Sequence, residues 1–416
     1  KYRERCVFHG IYAVRLDTEL KEFLLRLRLL VSYYRSGGSP WNKIEEFKIF
    51  EELFRKLSLL PERPEKASVR AANELLKKYF GGKNARARSP RIGLVGHSHL
   101  DTAWLWPVEE TKHKAVRTAV NAVRLLEKYP NYTFIMSSVL YMDWIRKSSP
   151  DLFGRIKKLV REGRFEPNGA AWVECDCNLT GGEALIRQFL RGQSFLKEHF
   201  DVFWLPDTFG YSGALPQIMR GCGVKYFLTT KLSWNDTNRF PLDAFRWRGI
   251  DGSEVIAHFN TTHSPADPRA VRARMEGMLN KHINDCALIA YGYGDGGGGP
   301  DEDMVRTALM TEETFADARV KHTTVSAFME ELSAEDLPVY AGELYLELHR
   351  GTLTMHHDIK KYNRQLEILL HDAEFLGSSG QAIEEEKLRK WWDILLLNQF
   401  HDILPGTCIA RVNDIA

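Results

Sequence analysis

Cysteine is scarce in this chain. Its 416 residues hold 6, at Cys6, Cys175, Cys177, Cys222, Cys286 and Cys408, and no two have CxxC spacing. That argues against a thiolate zinc site and against a dense disulfide framework, and makes a reducing, cytoplasmic compartment the default expectation. Cys175 and Cys177 lie two apart, which on a strand puts both on one face; the bland structural reading is favoured. No apolar run reaches the ~18 residues of a membrane span. Lys1–Val7 lacks the apolar stretch of a signal peptide, and the absence of an opening Met leads to the expectation of a trimmed chain. An excess of either charge is missing too: 57 Lys and Arg face 55 Asp and Glu, a net +2. Nothing in that balance asks for a nucleic-acid partner. There are no repeats, and no low-complexity tract beyond Gly296–Gly299.

What is present is the composition of a soluble globular protein, 44% hydrophobic and 27% charged. The length suits two or three folding units. Aromatic residues make up 11%, with 10 Trp, which suits cores and also clefts that stack sugar rings. Residues 1–88 read as a mostly helical segment and linker. Leu20–Ser32, Ile44–Leu60 and Ala67–Phe80 carry apolar residues at three- and four-residue intervals, and Lys83–Arg91 is basic and linker-like. Over 89–340 short apolar strands alternate with helices: Ile92–Val95, Thr133–Met136, Phe165–Trp172, Val202–Leu205, Tyr226–Thr229, Glu254–Phe259 and Ala287–Tyr291. That alternation predicts a parallel-sheet α/β domain, as barrel or open sheet. Helices are expected at Lys114–Lys128, Tyr141–Glu162, Gly182–His199, Ala214–Gly221 and after Asp267. Over 341–416, Asp358–Leu376 and Glu384–Gln399 read as two bundle helices.

Ligands of such sheets gather at the carboxyl ends of the strands, so the residues after each strand matter most. After Ile92–Val95 comes Gly-His97-Ser-His99-Leu-Asp101-Thr-Ala-Trp104. Imidazole nitrogen and carboxylate oxygen at alternate positions suit a borderline divalent ion; the bland alternative is a polar loop with a hydrogen-bonded His. After Val202–Leu205 comes Pro-Asp207-Thr-Phe209-Gly, where Asp207 is either a catalytic carboxylate or a helix cap. After Ala287–Tyr291 comes Gly-Tyr-Gly-Asp295-Gly-Gly-Gly-Gly-Pro. Its glycines let backbone approach a ligand and move; otherwise it is a surface turn. Asn-Gln-Phe-His401-Asp402-Ile-Leu-Pro-Gly-Thr closes the last long helix, where a lone His is ordinarily a charge on the helix dipole. A metal and two carboxylates together can hydrolyse a glycosidic bond.

In their order, HSHLDTAWLW, WLPDTFGYSGALPQI, YGYGDGGGGP, GELYLELHRGT and NQFHDILPGT resemble the α-mannosidases of glycoside hydrolase family 38, over about residues 90–416. Within it the chain looks most like the bacterial and archaeal, cytosol-type branch. The resemblance implies a seven-stranded β/α barrel-like catalytic domain followed by a helical bundle. It implies one divalent ion, zinc first, with cobalt or manganese also accepted, on His99, Asp101, Asp207 and His401. It makes Asp207 the nucleophile and Asp295 the acid/base of a retaining reaction on terminal α-D-mannosyl groups. Trp104 would stack under the sugar, Phe209 would line the pocket and Asp402 would bind hydroxyls. Lys231 stands where some relatives carry Arg near the nucleophile. Family members usually continue into β-rich domains, which leads to the expectation of a truncated chain. The expected partner is a mannose-containing oligosaccharide, with no nucleic acid and no membrane; a homo-oligomer is left open.

Two other readings stand beside this one: a metal-dependent carbohydrate deacetylase on a related barrel, and an inactive carbohydrate-binding fragment. Met-His356-His357-Asp358 is read as a solvated helix start rather than a second metal site. His349 and Arg350 are candidates to approach the pocket. His97 is expected to be a core or supporting residue, and Trp391-Trp392 bundle core.

Overall fold

The computed structural model describes residues 16–36, 43–57, 65–81, 90–167, 170–196, 201–279, 281, 283–380 and 383–416. The linker expected before Arg91 falls outside them. The chain divides into two compact units, Lys1–Lys83 and Asn84–Ala416.

The first unit holds α1 (Thr18–Arg35), α2 (Lys43–Lys56) and α3 (Lys66–Gly81). The expected periodicity is realised: Leu25, Leu29, Leu30, Leu53, Val69, Ala72, Leu76 and Phe80 are buried. Asp17 starts α1 by accepting from the Leu20 amide at 3.1 Å. Arg26 ties α1 to α3 through Asn73 at 2.7 Å.

The second unit runs β1 (Arg91–His97), α4 (Val108–Lys128), β2 (Phe134–Met136), α5 (Val139–Ser148), α6 (Pro150–Arg161), β3 (Phe165–Pro167), α7 (Gly182–Leu196), β4 (Val202–Trp204), α8 (Leu215–Gly221), β5 (Tyr226–Thr229), β6 (Ala244–Arg248), β7 (Glu254–Phe259), β8 (Thr261–Ser264), α9 (Pro268–Gly277), β9 (Cys286–Tyr291), α10 (Glu302–Thr314), β10 (Arg319–His322), α11 (Val325–Ser333), β11 (Val339–Ala341), α12 (His357–Ser379), α13 (Glu385–Asn398) and α14 (Ala410–Ile415). One expected helix, Tyr141–Glu162, is two, because Pro150 cannot continue α5 but suits the first turn of α6. The strand expected to reach Trp172 is described as β3 over Phe165–Pro167, and residues 170–172 are bends. Strands β6, β8, β10 and β11 and helices α10 and α11 add to those expected from the sequence.

The strands form two sheets. One has the order β3-β2-β1-β9-β8, with β10 beside the start of β1; the other has the order β11-β6-β7-β5-β4. Among the described strands, β6 against β7 is the one antiparallel pairing. Strands β7 and β8 are separated by Asn260 alone, so one stretch of chain leaves the second sheet and enters the first. The parallel pairings therefore follow one path, β3-β2-β1-β9-β8/β7-β5-β4. β1 is buried along nearly its whole length, which is why its sequence is a continuous apolar run. Gly96 within it lies against the Tyr132 ring, where any Cβ would clash.

Helices α12 and α13 are fastened to this α/β body by a buried polar network. Gln399, fully buried, donates to Asn363 and to Glu367, each at 3.1 Å. Gln188 of α7 donates to Gln399 at 3.3 Å, and the Gly181 amide donates to Glu367 at 2.9 Å. Alongside, the Asp176 amide donates to the Gln399 carbonyl at 2.8 Å and the His401 amide to the Glu174 carbonyl at 3.1 Å. That antiparallel ladder sets His401 beside the strand ends. Gln399→Leu keeps the volume but leaves the Asn363 and Glu367 acceptors short of a donor. It should lower stability by about 1–3 kcal/mol, read as a lower urea midpoint at constant m-value; an unchanged midpoint would show that the network holds nothing together.

Candidate active site

Each site residue stands just beyond a strand or helix end. The loop after β1 carries His99 and Asp101. It is clamped by the Tyr141 hydroxyl on the Leu100 carbonyl, by Thr111 on the Asp101 carbonyl at 3.1 Å, and by the Asp101 amide donating to the Asp295 carbonyl at 2.9 Å. The loop after β4 carries Asp207 and Phe209. Tyr211, fully buried, closes that loop through the Leu205 and Thr208 carbonyls at 3.1 and 3.0 Å and meets the Thr229 hydroxyl at 2.5 Å.

Ligand atoms of His99, Asp101 and His401 all lie within 4.8 Å of one another, and all three residues are buried. Asp101 Oδ1 is 3.0 Å from His99 Nε2 and 3.6 Å from His401 Nε2. These atoms are close but not aligned as hydrogen bonds, so both His99 nitrogens, Asp101 Oδ1 and His401 Nε2 are left without a hydrogen-bond partner. Buried polar atoms are rarely left so. Two imidazoles and a carboxylate converging in this way fit a divalent ion of the zinc class. Asp207 stands at the rim, its side chain 33% exposed. Its Oδ1 receives the Lys231 ammonium at 2.8 Å, and its Oδ2 turns to His401 Nε2 at 3.8 Å.

The other expected residues fall around this group. Asp402 Oδ2 is 3.8 Å from His401 Nε2, and its other oxygen accepts from the Thr407 hydroxyl. The Phe209 ring meets His401 edge-on, centroids 5.9 Å apart, and its centroid lies 4.9 Å from that of His349. Lys231 is buried and lies over both Phe209 and Trp234, at 4.9 and 4.7 Å. Trp104 is half-buried and its carbonyl accepts from the Ile409 amide at 2.8 Å. Asp295 joins through its backbone. Its carboxyl is half exposed and 3.9 Å from His263 Nε2, and its φ of +54° is one that Asp tolerates.

The glycine loop is less free than its sequence suggests. Tyr293 and Gly299 exchange amide bonds at 3.1 and 3.2 Å, and α4 holds the loop through Thr118 and Asn121. Gly294 is required by packing, since a Cβ there would run into the His263 ring. His97 stacks on Trp204 at 4.3 Å and is a core residue. His357 and Asp358 pair at 3.1 Å on the surface, and Trp392 is buried while Trp391 is exposed.

Two residues were not singled out from the sequence. Glu174, with no side-chain exposure, has Oε2 3.1 Å from His99 Nδ1. It lies in Trp-Val-Glu-Cys-Asp, past the end of a three-residue strand, where only an acid inside an apolar run hinted at it. His263 lies within β8, with its ring centroid 6.0 Å from that of His99.

Burial alone would discharge the imidazoles. At His99 it is outweighed by Glu174 and Asp101, which hold the imidazolium well above the usual histidine range. At His401 burial is outweighed by Asp101, Asp402, Glu174 and Asp207, and its pKa is pushed up to about 9. Burial would raise Asp101, but His99 and His401 hold its carboxyl well below the usual carboxylate range. Asp402 is pushed up to about 6, chiefly by burial. Burial drives His97 far below the histidine range, so it is neutral.

Residues 89–343 match the glycosyl hydrolases family 38 N-terminal domain, and residues 347–416 match the alpha mannosidase middle domain. The chain belongs to glycosyl hydrolase family 38. It is 41% identical to Alpha-mannosidase 2C1 of Homo sapiens over 436 aligned residues, covering 99% of this chain and 40% of that protein. It is 34% identical to Alpha-mannosidase of Saccharomyces cerevisiae, covering 90% of this chain and 38% of the relative. The crystal structure of an alpha-mannosidase from Enterococcus faecalis V583 shares the fold, with a TM-score of 0.66 at 19% identity, covering 78% of this chain and 40% of that one. This chain thus spans about 40% of the length of the curated relatives.

An ion takes neutral imidazoles, whereas His99 and His401 carry protons without one. Zinc binding near pH 7 should therefore release protons, about one from each ring. The stability these raised pKa values lend the metal-free protein is full below the ordinary histidine pKa of ~6.5 and is lost as pH rises through about 9 for His401. Calorimetric titration in buffers of different ionisation enthalpy checks the release; an enthalpy independent of buffer contradicts it.

Proposed function

We propose that this chain carries the catalytic centre of a retaining, metal-dependent α-mannosidase that removes terminal α-D-mannosyl groups from oligosaccharides. The observation that carries the reading is the convergence of His99, Asp101 and His401, with Asp207 at the open rim between Lys231 and His401. The domain reading that goes with it is a helical segment over 1–88, a seven-stranded β/α barrel-like domain over 89–340 and a helical bundle over 341–416. The path β3-β2-β1-β9-β8/β7-β5-β4, counted with β8 and β7 as one stretch, has seven positions, which supports the barrel-like reading.

His99, Asp101, Asp207 and His401 would hold one divalent ion, zinc first among zinc, cobalt and manganese. The ion would bind sugar hydroxyls and offset negative charge near the reacting carbon. Lys231 holds one oxygen of Asp207 and so orients the carboxylate. Asp207 attacks the anomeric carbon, the bond from that carbon to the leaving oxygen breaks, and Asp295 gives its proton to that oxygen. In the second half, Asp295 takes a proton from water as the water oxygen displaces Asp207. Trp104 supplies an apolar face for the sugar ring, Phe209 a wall and Asp402 an acceptor for hydroxyls. Free thiols at all five described cysteines fit the proposed cytoplasmic location.

Turnover of an aryl α-mannoside, measured after chelation and after zinc is returned, tests the reading. Activity should vanish and come back; turnover unaffected by chelation contradicts the metal role. Asp207→Ala should abolish turnover and also weaken metal retention, because one carboxylate serves both tasks. A variant that keeps most of kcat with metal bound would remove Asp207 from the nucleophile's role. Asp295→Ala should slow substrates with poor leaving groups by roughly 10²–10⁴-fold. It should spare the first step with an activated aryl mannoside, which needs no proton. Equal loss on both substrates would give the acid's role to another residue, Asp402 being the nearest candidate.

A further inference from the structure

Glu174 has no side-chain exposure, and neither of its carboxylate oxygens has a hydrogen-bond partner. It sits on the Nδ1 side of both site histidines. Its Oε2 is 3.1 Å from His99 Nδ1, and its backbone carbonyl is 3.1 Å from His401 Nδ1, with the carboxylate 3.8 Å behind. The opposite nitrogens, both Nε2, face Asp101 Oδ1 at 3.0 and 3.6 Å. The two rings lie nearly parallel, 21° apart with centroids at 5.6 Å. One residue thus sets its carboxylate at ion-pair distance from one imidazole and its main-chain carbonyl within hydrogen-bond reach of the other.

We propose that Glu174 is a positioning residue for the metal centre, holding Nδ1–H on both His99 and His401 so that both Nε2 lone pairs point at one shared ion. A neutral imidazole has a single N–H, and the acceptor that takes it decides which nitrogen is left to ligate. The ladder between residues 174–176 and 399–401 makes the arrangement rigid. It fixes Glu174 and His401 to each other through backbone, while the loop after β1 brings His99 from the other side. Glu174 touches neither the sugar nor the reacting atoms in this account. The proposal rests on the metal reading of the site.

Zinc alone, titrated into the full chain against a competing chelator, separates the two claims. Wild type should bind one ion, and Glu174→Gln should bind it roughly 10–100-fold more weakly. The chelator-treated proteins should share one far-ultraviolet spectrum. Equal affinity in wild type and E174Q overturns the role of Glu174 and leaves the metal site standing. A wild type that takes up no ion overturns the metal site and the role of Glu174 with it. Nitrogen-15 spectra of histidine-labelled, zinc-loaded wild type need no mutation. They should show His99 and His401 protonated at Nδ1 and metallated at Nε2; the opposite tautomer at either ring overturns the proposal even if E174Q fails to fold.

Discussion

Four carboxyl groups, those of Asp101, Glu174, Asp207 and Asp402, and two imidazoles are packed together where water barely reaches. Asp101, Glu174, His99 and His401 are buried outright, and Asp207 is largely covered. A buried charge is tolerated only when it is paired or ligates a metal. Around His99 and His401 stand the carboxyl groups of Asp101, Glu174, Asp207 and Asp402, and Lys231 meets Asp207. Further positive charge must come either from the two rings as imidazolium ions or from a divalent cation on neutral rings.

That constraint explains the architecture around the site. The site residues come from far apart in sequence, so each must be brought in by a rigid element. The buried strand β1 delivers His99 and Asp101 at its carboxyl end, and β4 delivers Asp207. His401 comes from beyond the last long helix, in the region that matches the alpha mannosidase middle domain. It arrives because Gln399, Asn363, Glu367 and Gln188 lock α12 and α13 onto α7. The middle region therefore supplies His401 to the converging group, and its helices form one compact unit with the sheets.

Much of this was legible because strand ends and site residues coincide in the sequence. The loops after Ile92–Val95, Val202–Leu205 and Ala287–Tyr291 each begin with the residues that the structure gathers. What was hidden has physical reasons. Glu174 follows a three-residue strand and reads as one acid within Trp-Val-Glu-Cys-Asp; only its register against Gln399–His401, some 225 residues away, gives it a role. Strands β6, β8, β10 and β11 are only five, four, four and three residues long, too short for a pattern to stand out in the sequence. The run of glycines around Asp295 suggested a swinging loop. The hydrogen bonds that pin it come from Thr118 and Asn121, which a local reading does not see.

The central claim is that Asp207 attacks carbon rather than merely ligating metal. A 2-fluoro-α-mannosyl reagent with a good leaving group slows the second half of a retaining reaction and traps the glycosyl-enzyme. Mass spectrometry of the digested, zinc-loaded protein should find the fluoromannosyl group on the peptide that contains Asp207, and none after chelation. Turnover of mannosides with no trapped adduct, or with the label on another residue, would contradict the account.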